Sequence, residues 1–362
     1  MVTIKDIAKE AKVSEGTVDR VLHNRGGVSK KTELKIKKIL AKHNFSVNPL
    51  ASALAMKKKH KIATLIPNYN DSDLFWKSPY AGILKASEEI KGYGIRVVNF
   101  KFDQYDVLQY VDAFNELIQS KPTGVIIVPN FFKETKKMIS QLEVLEIPYV
   151  FLNIDIDTFD SIAFIGQDSY TAGFVAGKLM HLSLLETSKV LTIQSRHNII
   201  ENHTVSKRIE GFVTYFKENN TPITTLTLKI DNLNNEAETA EKINSYLKQH
   251  PDIKGLFVPS SRIYLIKNSI KANYLEHLKL IGFDNTPPNV ACLLNDSVSF
   301  LISQKPFDQG YESVHVMSEF LIKKKSPNKK MYLPIDILTK ENVIYNDRKQ
   351  FMFEAENTAF NL

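Results

Sequence analysis

The sequence predicts a small all-α helix-turn-helix domain followed by an α/β domain of two lobes, each built on a parallel sheet flanked by helices. Positive charge is concentrated at the start: residues 1–61 hold 15 Lys and Arg against 5 Asp and Glu, whereas the other 301 residues hold 32 against 35. Three short helical patterns fill this basic segment, and from Lys61 onward short apolar strands alternate with helices. A chain of 362 residues is long enough for both domains.

Charge and composition restrict the class of protein. A compact basic module attached to a nearly neutral body is typical of a protein that meets a polyanion. The alternative, a solubilising basic tail, would lack the apolar periodicity of this segment. The single cysteine excludes a disulfide scaffold, and the sequence contains no run of 18 apolar residues to span a membrane. It also begins without an apolar leader segment, so we expect a cytoplasmic protein.

Each of the three amino-terminal helices begins at a residue that can cap it. Thr3 with Asp6 forms a capping box, and Ser14 and Ser29 can cap the second and third helices. Apolar residues at helical spacing then give each helix one buried face: Ile4, Ile7, Ala8 and Ala11; Val18, Val21 and Leu22; Ile36, Ile39 and Leu40. Two helices joined by a short turn and supported by a third form the helix-turn-helix plan.

The second helix is the predicted reader of DNA. Its first turn directs Ser14, Glu15, Gly16 and Thr17 outward, and Arg20 follows one turn later. Hydroxyls at a helix start suit phosphates, and arginine suits guanine O6 and N7. Gly16 costs about 1 kcal/mol relative to alanine in a helix, which is consistent with close approach of backbone to DNA. Glu15 either accepts a hydrogen bond from a cytosine amino group or only stabilises the positive end of the helix dipole.

Four segments resemble the start of LacI/GalR-type bacterial transcription regulators: VTIKDIA at 2–8, VSEGTVDRVL at 13–22, VSKKT at 28–32 and NPLASAL at 48–54. The resemblance implies that the second helix reads the major groove and that a hinge helix wedges Leu54 into the minor groove, kinking the duplex. The DNA-binding residues predicted in this way are Thr3, Ser14, Glu15, Gly16, Thr17, Arg20, His23, Ser29, Thr32 and Leu54.

Two positions depart from the family pattern. Ser52 stands where the hinge motif usually has arginine, and Asp19 stands where the reading helix usually has serine. The operator sequences of the family therefore do not transfer to this chain. Because Asp19 would repel phosphates, we expect it to face a lysine or arginine instead.

The domain boundaries follow from these patterns. We predict a helix-turn-helix DNA-binding domain over 1–47, a hinge helix and linker over 48–60, a two-lobed ligand-binding domain over 61–345 and a tail over 346–362. Tetramers of the family use a carboxyl-terminal leucine heptad helix, and residues 350–357 show no sustained heptad. We therefore expect a homodimer on a pseudo-palindromic, double-stranded operator.

The large domain carries nine predicted strands, at 62–66, 95–100, 124–128, 148–152, 190–193, 226–228, 255–258, 280–283 and 300–303. Nearly continuous apolar strands separated by helices indicate parallel sheets covered on both faces. Their number suits two sheets and hence two lobes. Ligands bind at the carboxyl ends of such strands, and two facing lobes would place those ends along one cleft.

This domain resembles the type I periplasmic-binding-protein fold that LacI/GalR regulators carry as their effector domain. The resemblance implies a sugar site of seven residues: Phe75, Trp76, Asn153, Arg208, Ser260, Asp284 and Gln304. Aromatic faces suit the C–H face of a sugar ring, arginine offers forked donors, and a carboxylate accepts two hydroxyl protons. Ser260 replaces the asparagine that is usual at its position.

Structural roles remain open for several of these residues. Phe75 and Trp76 could be core or surface aromatics, and Asp284 could only cap a turn. Arg208 could be a surface ion-pair residue of little energetic value. Gln304 is the weakest member of the set.

The sequence gives little support for an enzyme or for a metal site. It contains no G-x-S-x-G, P-loop or HExxH motif. Gly92-Tyr93-Gly94 is only half a dinucleotide fingerprint. Asp155 with Asp157, or His197 with Glu201 and His203, could hold a metal, but solvated loop residues are the simpler interpretation. Cys292 has no basic neighbour in sequence and is predicted to be a buried thiol. We predict neither catalysis nor a cofactor.

These observations together predict a sequence-specific DNA-binding transcriptional regulator, a repressor, whose operator affinity is controlled by a small-molecule effector. The effector would be a sugar or sugar derivative. The alternative is a solute-binding protein of a sugar transport system, against which the basic helix-turn-helix argues. Whether the effector releases the protein from DNA or promotes binding stays open, as do the operator and the identity of the sugar.

Overall fold

The computed structural model describes two compact units of the chain. The first comprises Met1–Lys59 with Gly92–Gly94, and the second comprises His60–Lys91 with Ile95–Leu362. Within them, the described residues are 2–22, 26–43, 45, 59–70, 74–184, 187–194, 203–231, 233 and 235–346.

The first unit contains three helices around a small apolar core. They are α1 (Ile4–Ala11), α2 (Glu15–Leu22) and α3 (Lys30–Lys42). The buried side chains are the ones that the helical spacing predicts, namely Ile7, Ala8, Ala11, Val18, Val21, Ile36 and Ile39. Helix α1 ends at Lys12, whose left-handed backbone (φ 57°) turns the chain toward α2. The all-α part of the predicted fold is therefore confirmed.

The first lobe of the second unit is built on a six-stranded parallel sheet with the order β11-β5-β4-β3-β1-β2. Its strands are β1 (His60–Pro67), β2 (Ile95–Phe102), β3 (Gly124–Ile127), β4 (Tyr149–Leu152), β5 (Ala163–Gly166) and β11 (Lys330–Tyr332). Its helices are α4 (Lys77–Ile90), α5 (Val107–Gln119), α6 (Phe132–Val144) and α13 (Pro306–Lys323), with a 3-10 turn at Lys91–Tyr93.

The second lobe repeats this plan with the strand order β12-β10-β9-β8-β6-β7. Its strands are β6 (Lys189–Gln194), β7 (Thr224–Lys229), β8 (Ile253–Phe257), β9 (Lys279–Phe283), β10 (Phe300–Ser303) and β12 (Asp336–Leu338). Its helices are α7 (Ser169–Ser183), α8 (His203–Glu218), α9 (Glu236–Gln249), α10 (Ile263–Asn268), α11 (Ala272–Leu275) and α12 (Pro287–Leu294), followed by a 3-10 turn at Val343–Asn346. The chain crosses between the lobes at 167–168, 304–305 and 333–335. These three crossings together form the interlobe hinge, which is distinct from the predicted hinge helix at 48–60.

The two-lobed α/β architecture confirms the predicted fold class, and all nine predicted strands are present. Three further strands, β5, β11 and β12, were not predicted, and each has only three or four residues. Strands β11 and β12 also lie at sheet edges with mostly exposed or half-buried side chains, so they lack an apolar run. One edge strand departs from the parallel arrangement, since β12 pairs antiparallel with β10.

In each lobe, a glycine brings two helices into close contact. A Cβ on Gly173 of α7 would lie 1.9 Å from the carbonyl oxygen of Arg208 on α8, and one on Gly82 of α4 would lie 2.0 Å from that of Phe307 on α13. Because no larger residue fits at either crossing, these glycines fix the position of α8 and α13 at the edge of the cleft. Within the described ranges, no helix is long and apolar enough to cross a membrane.

Candidate functional site

The predicted helix caps of the first unit form as hydrogen bonds. The Thr3 amide donates to Asp6 Oδ2 (2.9 Å) and the Asp6 amide donates to Thr3 Oγ1 (3.3 Å). The Thr17 amide donates to Ser14 Oγ (3.2 Å), and the two hydroxyls share a hydrogen bond of 2.9 Å. Ser29 and Thr32 repeat the same pair of contacts at the start of α3. These hydroxyls therefore stand at helix starts, where free N–H groups favour anions.

The outer face of α2 carries the residues predicted to meet DNA. Glu15, Gly16 and Arg20 are exposed, while Val18 and Val21 on the opposite face are buried. The guanidinium of Arg20 lies against the turn before α3, with Nη1 3.1 Å from the position of a Cβ on Gly27. A Cβ on Gly16 would meet only Ser14 Oγ, at 3.8 Å, so packing does not require glycine there. His23 and Leu54 lie outside the described residues, as does most of the predicted hinge helix.

Side-chain contacts hold α1 and α3 together beneath α2. Glu10 accepts from Lys42 Nζ at 2.8 Å and lies 2.7 Å from His43 Nε2. Hydrogen bonds from Lys42 and then from His43 lower the pKa of the Glu10 carboxyl. Lys35 Nζ donates to the carbonyl oxygen of Ala11 at 2.8 Å, which satisfies one acceptor at the end of α1. Helix α2, which carries Arg20, therefore packs against two helices, α1 and α3, that these contacts hold together.

All seven residues of the predicted sugar site line one cavity between the lobes, of about 60 Å³. Phe75, Trp76 and Asn153 come from the first lobe, and Arg208, Ser260 and Asp284 from the second, while Gln304 lies at the second crossing. Most of them follow the carboxyl end of a strand, as the rule for parallel sheets requires. A single cavity therefore collects polar and aromatic side chains separated by up to 229 positions in the chain.

Asn153 and Asp284 occupy equivalent places in the two lobes. Each follows a central strand, adopts a left-handed backbone (φ 69° and 68°) and donates its amide to the neighbouring strand at 2.9 Å. Asparagine and aspartate tolerate this conformation better than other non-glycine residues. The tight turn directs both side chains into the gap between the lobes, where both residues are almost fully buried.

Gln304 connects these two residues across the cleft. Its Nε2 donates to both carboxylate oxygens of Asp284 (3.0 and 3.1 Å), and its Oε1 accepts from Asn153 Nδ2 (3.0 Å). The centre of the cavity is therefore a hydrogen-bonded bridge between the lobes. The interpretation of Asp284 as only a turn cap is wrong, because its carboxylate faces Gln304 and the cavity.

Arg208 is 2% exposed, so its interpretation as a surface ion-pair residue is wrong. Its Nη1 donates to the carbonyl oxygen of Pro259 (3.1 Å), and its guanidinium carbon lies 3.8 Å from the centre of the Phe283 ring. The stacking and the carbonyl hold the planar guanidinium in one orientation at the cavity wall.

The aromatic pair forms the opposite wall. The rings of Phe75 and Trp76 meet edge to face at 5.0 Å between centroids, just before α4, and both are buried. Ser260 lies across the cavity, and its buried Oγ has no hydrogen-bond partner among the described residues. These side chains thus contribute both packing and lining, so their position alone does not distinguish core from ligand contact.

Sequence reasoning missed several polar residues of this region, among them Gln104, Asn130 and Gln309. Gln104 and Asn130 also line the cavity, and Asn130 Nδ2 donates to the Gln104 carbonyl (2.7 Å). Both follow strands, β2 and β3, so the strand-end rule could have found them. Gln309 is fully buried on α13, accepts from Asn153 Nδ2 (2.9 Å) and donates to the Gln304 carbonyl (2.8 Å). A lone glutamine in a helix carries no sequence signal of such a role.

Two larger cavities flank the central one. A cavity of about 300 Å³ shares Phe75 and Asp284 with it, and one of about 170 Å³ shares Asn153 and Thr204. The three therefore follow one another along the cleft between the lobes.

The other candidate groups serve structural contacts. Asp155 and Asp157 both pair with Lys330 Nζ, at 3.1 and 2.5 Å. Among the described residues, no group of three or more His, Cys, Asp or Glu is arranged to hold a metal ion. His197 and Glu201 lie outside those residues, so their grouping with His203 stays untested. Cys292 is buried, and burial raises the pKa of its thiol.

Both units of the chain match known protein families. Residues 3–48 match the family described as bacterial regulatory proteins, lacI family, and residues 62–325 match the periplasmic binding protein domain. A ribose operon repressor of Halalkalibacterium halodurans is 24% identical over 348 residues, which cover 94% of this chain and 97% of that protein.

Solved structures give the same result for the large unit. A protein from Bacteroides fragilis classed as a LacI transcriptional regulator has a TM-score of 0.71 and 29% identity, covering 80% of this chain and 100% of that one. A glucose-galactose binding protein from Geobacillus stearothermophilus has a TM-score of 0.68 and 21% identity, covering 79% and 99%. The second likeness concerns the fold alone.

A helical unit that reads DNA, followed in the chain by a two-lobed domain with a cleft, defines a class of regulator. In this class, ligand binding in the cleft controls DNA binding. The chain belongs to the periplasmic-binding-protein domain family, and its amino-terminal unit makes it a DNA-binding transcription regulator of the LacI family. The three similar proteins named above are regulators or binding proteins.

Proposed function

We propose that this protein is a repressor whose affinity for a pseudo-palindromic operator is controlled by a sugar or sugar derivative bound between its lobes. One observation carries the proposal: seven residues selected from the sequence, distant along the chain, line one cavity. The name of the ribose operon repressor to which the chain is similar supports a sugar as effector. The repressor would act in the cytoplasm as a homodimer, because a twofold protein matches a twofold DNA site.

On the DNA side, the exposed face of α2 would enter the major groove. Arg20 would read a guanine, and Ser14 and Thr17 would hold phosphates at the helix start. Thr3, Ser29 and Thr32 would add phosphate contacts from the other helix starts. The proposed set is completed by Glu15, Gly16, His23 and the wedge residue Leu54. The proposed boundaries remain 1–47 for this domain, 48–60 for the hinge, 61–345 for the effector domain and 346–362 for the tail.

On the effector side, the bridge of Gln304, Asn153 and Asp284 would exchange its internal hydrogen bonds for bonds to sugar hydroxyls. A cavity of about 60 Å³ is several times smaller than the roughly 300–1,000 Å³ typical of small-molecule sites, so a sugar ring enters only if the walls move apart. Phe75 and Trp76 would then pack on the ring, and Arg208 would donate to a hydroxyl. Ser260 Oγ would gain a partner.

The proposed coupling follows from the requirement that the lobes move. A ligand that contacts both lobes stabilises one relative arrangement of them. It changes DNA affinity only if the hinge helix proposed over 48–60 responds differently to the two arrangements. The protein would need no cofactor and would catalyse no reaction. A transport solute-binding protein is the weaker candidate, because its function leaves the helix-turn-helix unused.

The test is a thermal-shift screen of the full chain against sugars, sugar phosphates, sugar acids, polyols and nucleobases. A ligand at 100 times its dissociation constant adds about 2.7 kcal/mol to the stability of the domain that binds it. The operator would be selected from a randomised duplex library, and its binding measured with and without the hit. A hit that leaves operator affinity unchanged would contradict the proposed coupling.

Asp284→Ala is the decisive variant. It should abolish the thermal shift and the effect of the sugar on DNA binding, while operator affinity without sugar stays unchanged. Asp296→Ala is the matched control, because Asp296 is also an aspartate of the second lobe with a left-handed backbone (φ 61°), but it is exposed and pairs with Lys340. A normal sugar affinity in Asp284→Ala would remove this residue from the site.

A further inference from the structure

The cavity of about 170 Å³ beside the central one has its own wall of polar and aromatic residues. Asn153 and Thr204 form the boundary that it shares with the central cavity. The rest of the wall comes from the loop after β4, the hinge crossing at Gln167, the first turns of α7 and α8, and strand β11. Tyr332 and Asp157, both exposed, lie where this cavity meets solvent.

Gln167 lines this cavity and carries an unsatisfied hydrogen-bond acceptor. The residue is 3% exposed, and its Nε2 donates to the carbonyl oxygens of Ser303 (3.0 Å) and Pro334 (3.3 Å). Those two acceptors fix the orientation of the amide, because a flipped side chain would face them with its own oxygen. The buried Oε1 has no hydrogen-bond partner among the described residues. An unmet buried acceptor is costly, so a ligand that donates a hydrogen bond fits here.

The charged groups around Gln167 also favour a ligand rich in donors. The carboxylates of Asp155, Asp157 and Asp168 line the cavity. Its lysines are already engaged, since Lys330 pairs with Asp155 and Asp157, and Lys207 pairs with Glu210 at 2.8 Å. The carboxylates keep acceptor capacity beyond these contacts, because each can accept about four hydrogen bonds. The wall therefore offers acceptors to hydroxyl groups and would repel an anion.

An aromatic ring completes the wall on the solvent side. Tyr332 is 50% exposed, and its ring meets that of the buried Phe164 edge to face at 6.0 Å between centroids. Phe164 holds the ring in place, while the exposed half of the Tyr332 side chain stays available for an apolar surface such as the C–H face of a pyranose.

We propose that this cavity is a subsite for the second ring of a disaccharide whose first ring occupies the central cavity. The inference rests on the proposed function, since it assumes a sugar in the cleft. Because Asn153 and Thr204 line both cavities, the cavities adjoin there, and the glycosidic linkage would cross at these two residues. Gln167 and Asp155 accept hydrogen bonds from the second ring, and Tyr332 packs on its face.

The test is isothermal titration calorimetry of the full chain with matched sugars: glucose with maltose and cellobiose, galactose with lactose, and xylose with xylobiose. At least one disaccharide should bind at least tenfold more tightly than its own monosaccharide. Tyr332→Ala should remove that gain and leave the monosaccharide affinity within twofold, whereas Tyr332→Phe should keep it. Tyr345→Ala is the matched control, because Tyr345 is an exposed tyrosine outside this wall.

Each other outcome overturns a definite statement. If monosaccharides bind and no disaccharide gains affinity, the subsite is wrong and the proposed sugar site stands. The subsite is also wrong, and the sugar site stands, if the gain in disaccharide affinity survives Tyr332→Ala but is lost in Lys77→Ala. Lys77 lines the 300 Å³ cavity on the other side of the central one. If no saccharide of the thermal-shift or calorimetric panels binds the wild type, the sugar assignment itself falls, and the subsite with it.

Discussion

Arg20 tests the DNA interface at the scale of a single side chain. It is exposed one turn after the start of α2, on the face opposite the buried Val18 and Val21. Arg20→Ala should weaken binding to the selected operator by about 1–3 kcal/mol and relax base preference at one position. Fluorescence anisotropy on the operator, its single-base variants and random duplexes, all at one salt concentration, measures both effects.

Arg96→Ala is the control for that experiment, since Arg96 is an exposed arginine on β2 of the other unit. Its loss should leave affinity for every duplex unchanged. Equal losses on operator and random DNA in Arg20→Ala would make Arg20 a phosphate contact and contradict its role in reading a base.

The residue scale also shows what a sequence pattern can and cannot predict. The caps at Thr3, Ser14 and Ser29 were predictable because each contact joins residues three apart, and the structure contains all three. The role of Gln309 was not, because its partners lie five and 156 positions away. Distant contacts depend on how the lobes assemble, which local spacing does not encode.

At the scale of elements, the glycine crossing of α7 and α8 connects packing to the site. A Cβ on Gly173 would lie 1.9 Å from the Arg208 carbonyl oxygen, so Gly173→Ala must push α8 away from α7. We expect a loss of about 1–3 kcal/mol in the stability of the large unit. Sugar affinity should fall as well, because Arg208 moves with α8. Scanning calorimetry and sugar titration measure the two effects.

Gly16→Ala provides the contrasting substitution, since a Cβ there would meet nothing closer than 3.8 Å. It should leave the large unit and its sugar affinity unchanged. Normal stability and sugar binding in Gly173→Ala would show that the crossing tolerates a methyl group, and the proposed link between the glycine and Arg208 would be wrong.

The elements divide into those that sequence periodicity predicts and those that pairing creates. The nine predicted strands are mostly buried apolar runs, as in β3 and β4, where every residue is buried. Strands β11 and β12 exist because the hinge carries the chain past an open edge of each sheet, where three residues suffice to pair. Their composition resembles a loop, so only the assembled sheets identify them.

The whole molecule repeats one plan twice, and the repetition explains the geometry of the cleft. Asn153 and Asp284 follow the equivalent strands β4 and β9, and Gln167 and Gln304 follow the equivalent strands β5 and β10. Each glutamine then leads into a crossing between lobes. The interlobe hinge therefore contains side chains that also line the cleft. A ligand bound in the cleft can in this way influence the relative position of the lobes.

A second contact joins the lobes away from the hinge crossings. Arg262, before α10 of the second lobe, donates to the hydroxyl of Tyr105 in the loop after β2 of the first lobe. Its guanidinium carbon lies 5.5 Å from the centre of the Tyr105 ring. Tyr105 is 58% exposed and does not line the central cavity, whereas Arg262 does. Tyr105 can therefore be changed without touching a bound sugar.

Tyr105→Ala should shift the lobes toward separation and raise sugar affinity indirectly, because the arrangement that contains this contact is too narrow for a sugar ring. An exposed cation–π contact contributes about 0.5–1 kcal/mol, which corresponds to a gain of about two- to fivefold in affinity. Small-angle scattering should record a larger radius of gyration for the sugar-free variant, and Tyr345→Ala should change neither quantity. A double-mutant cycle with Arg262→Ala separates the contact from direct effects of Arg262 on the ligand. Additive effects of the two substitutions on sugar affinity, with no change in radius of gyration, would mean that Tyr105 and Arg262 do not control the opening of the cleft.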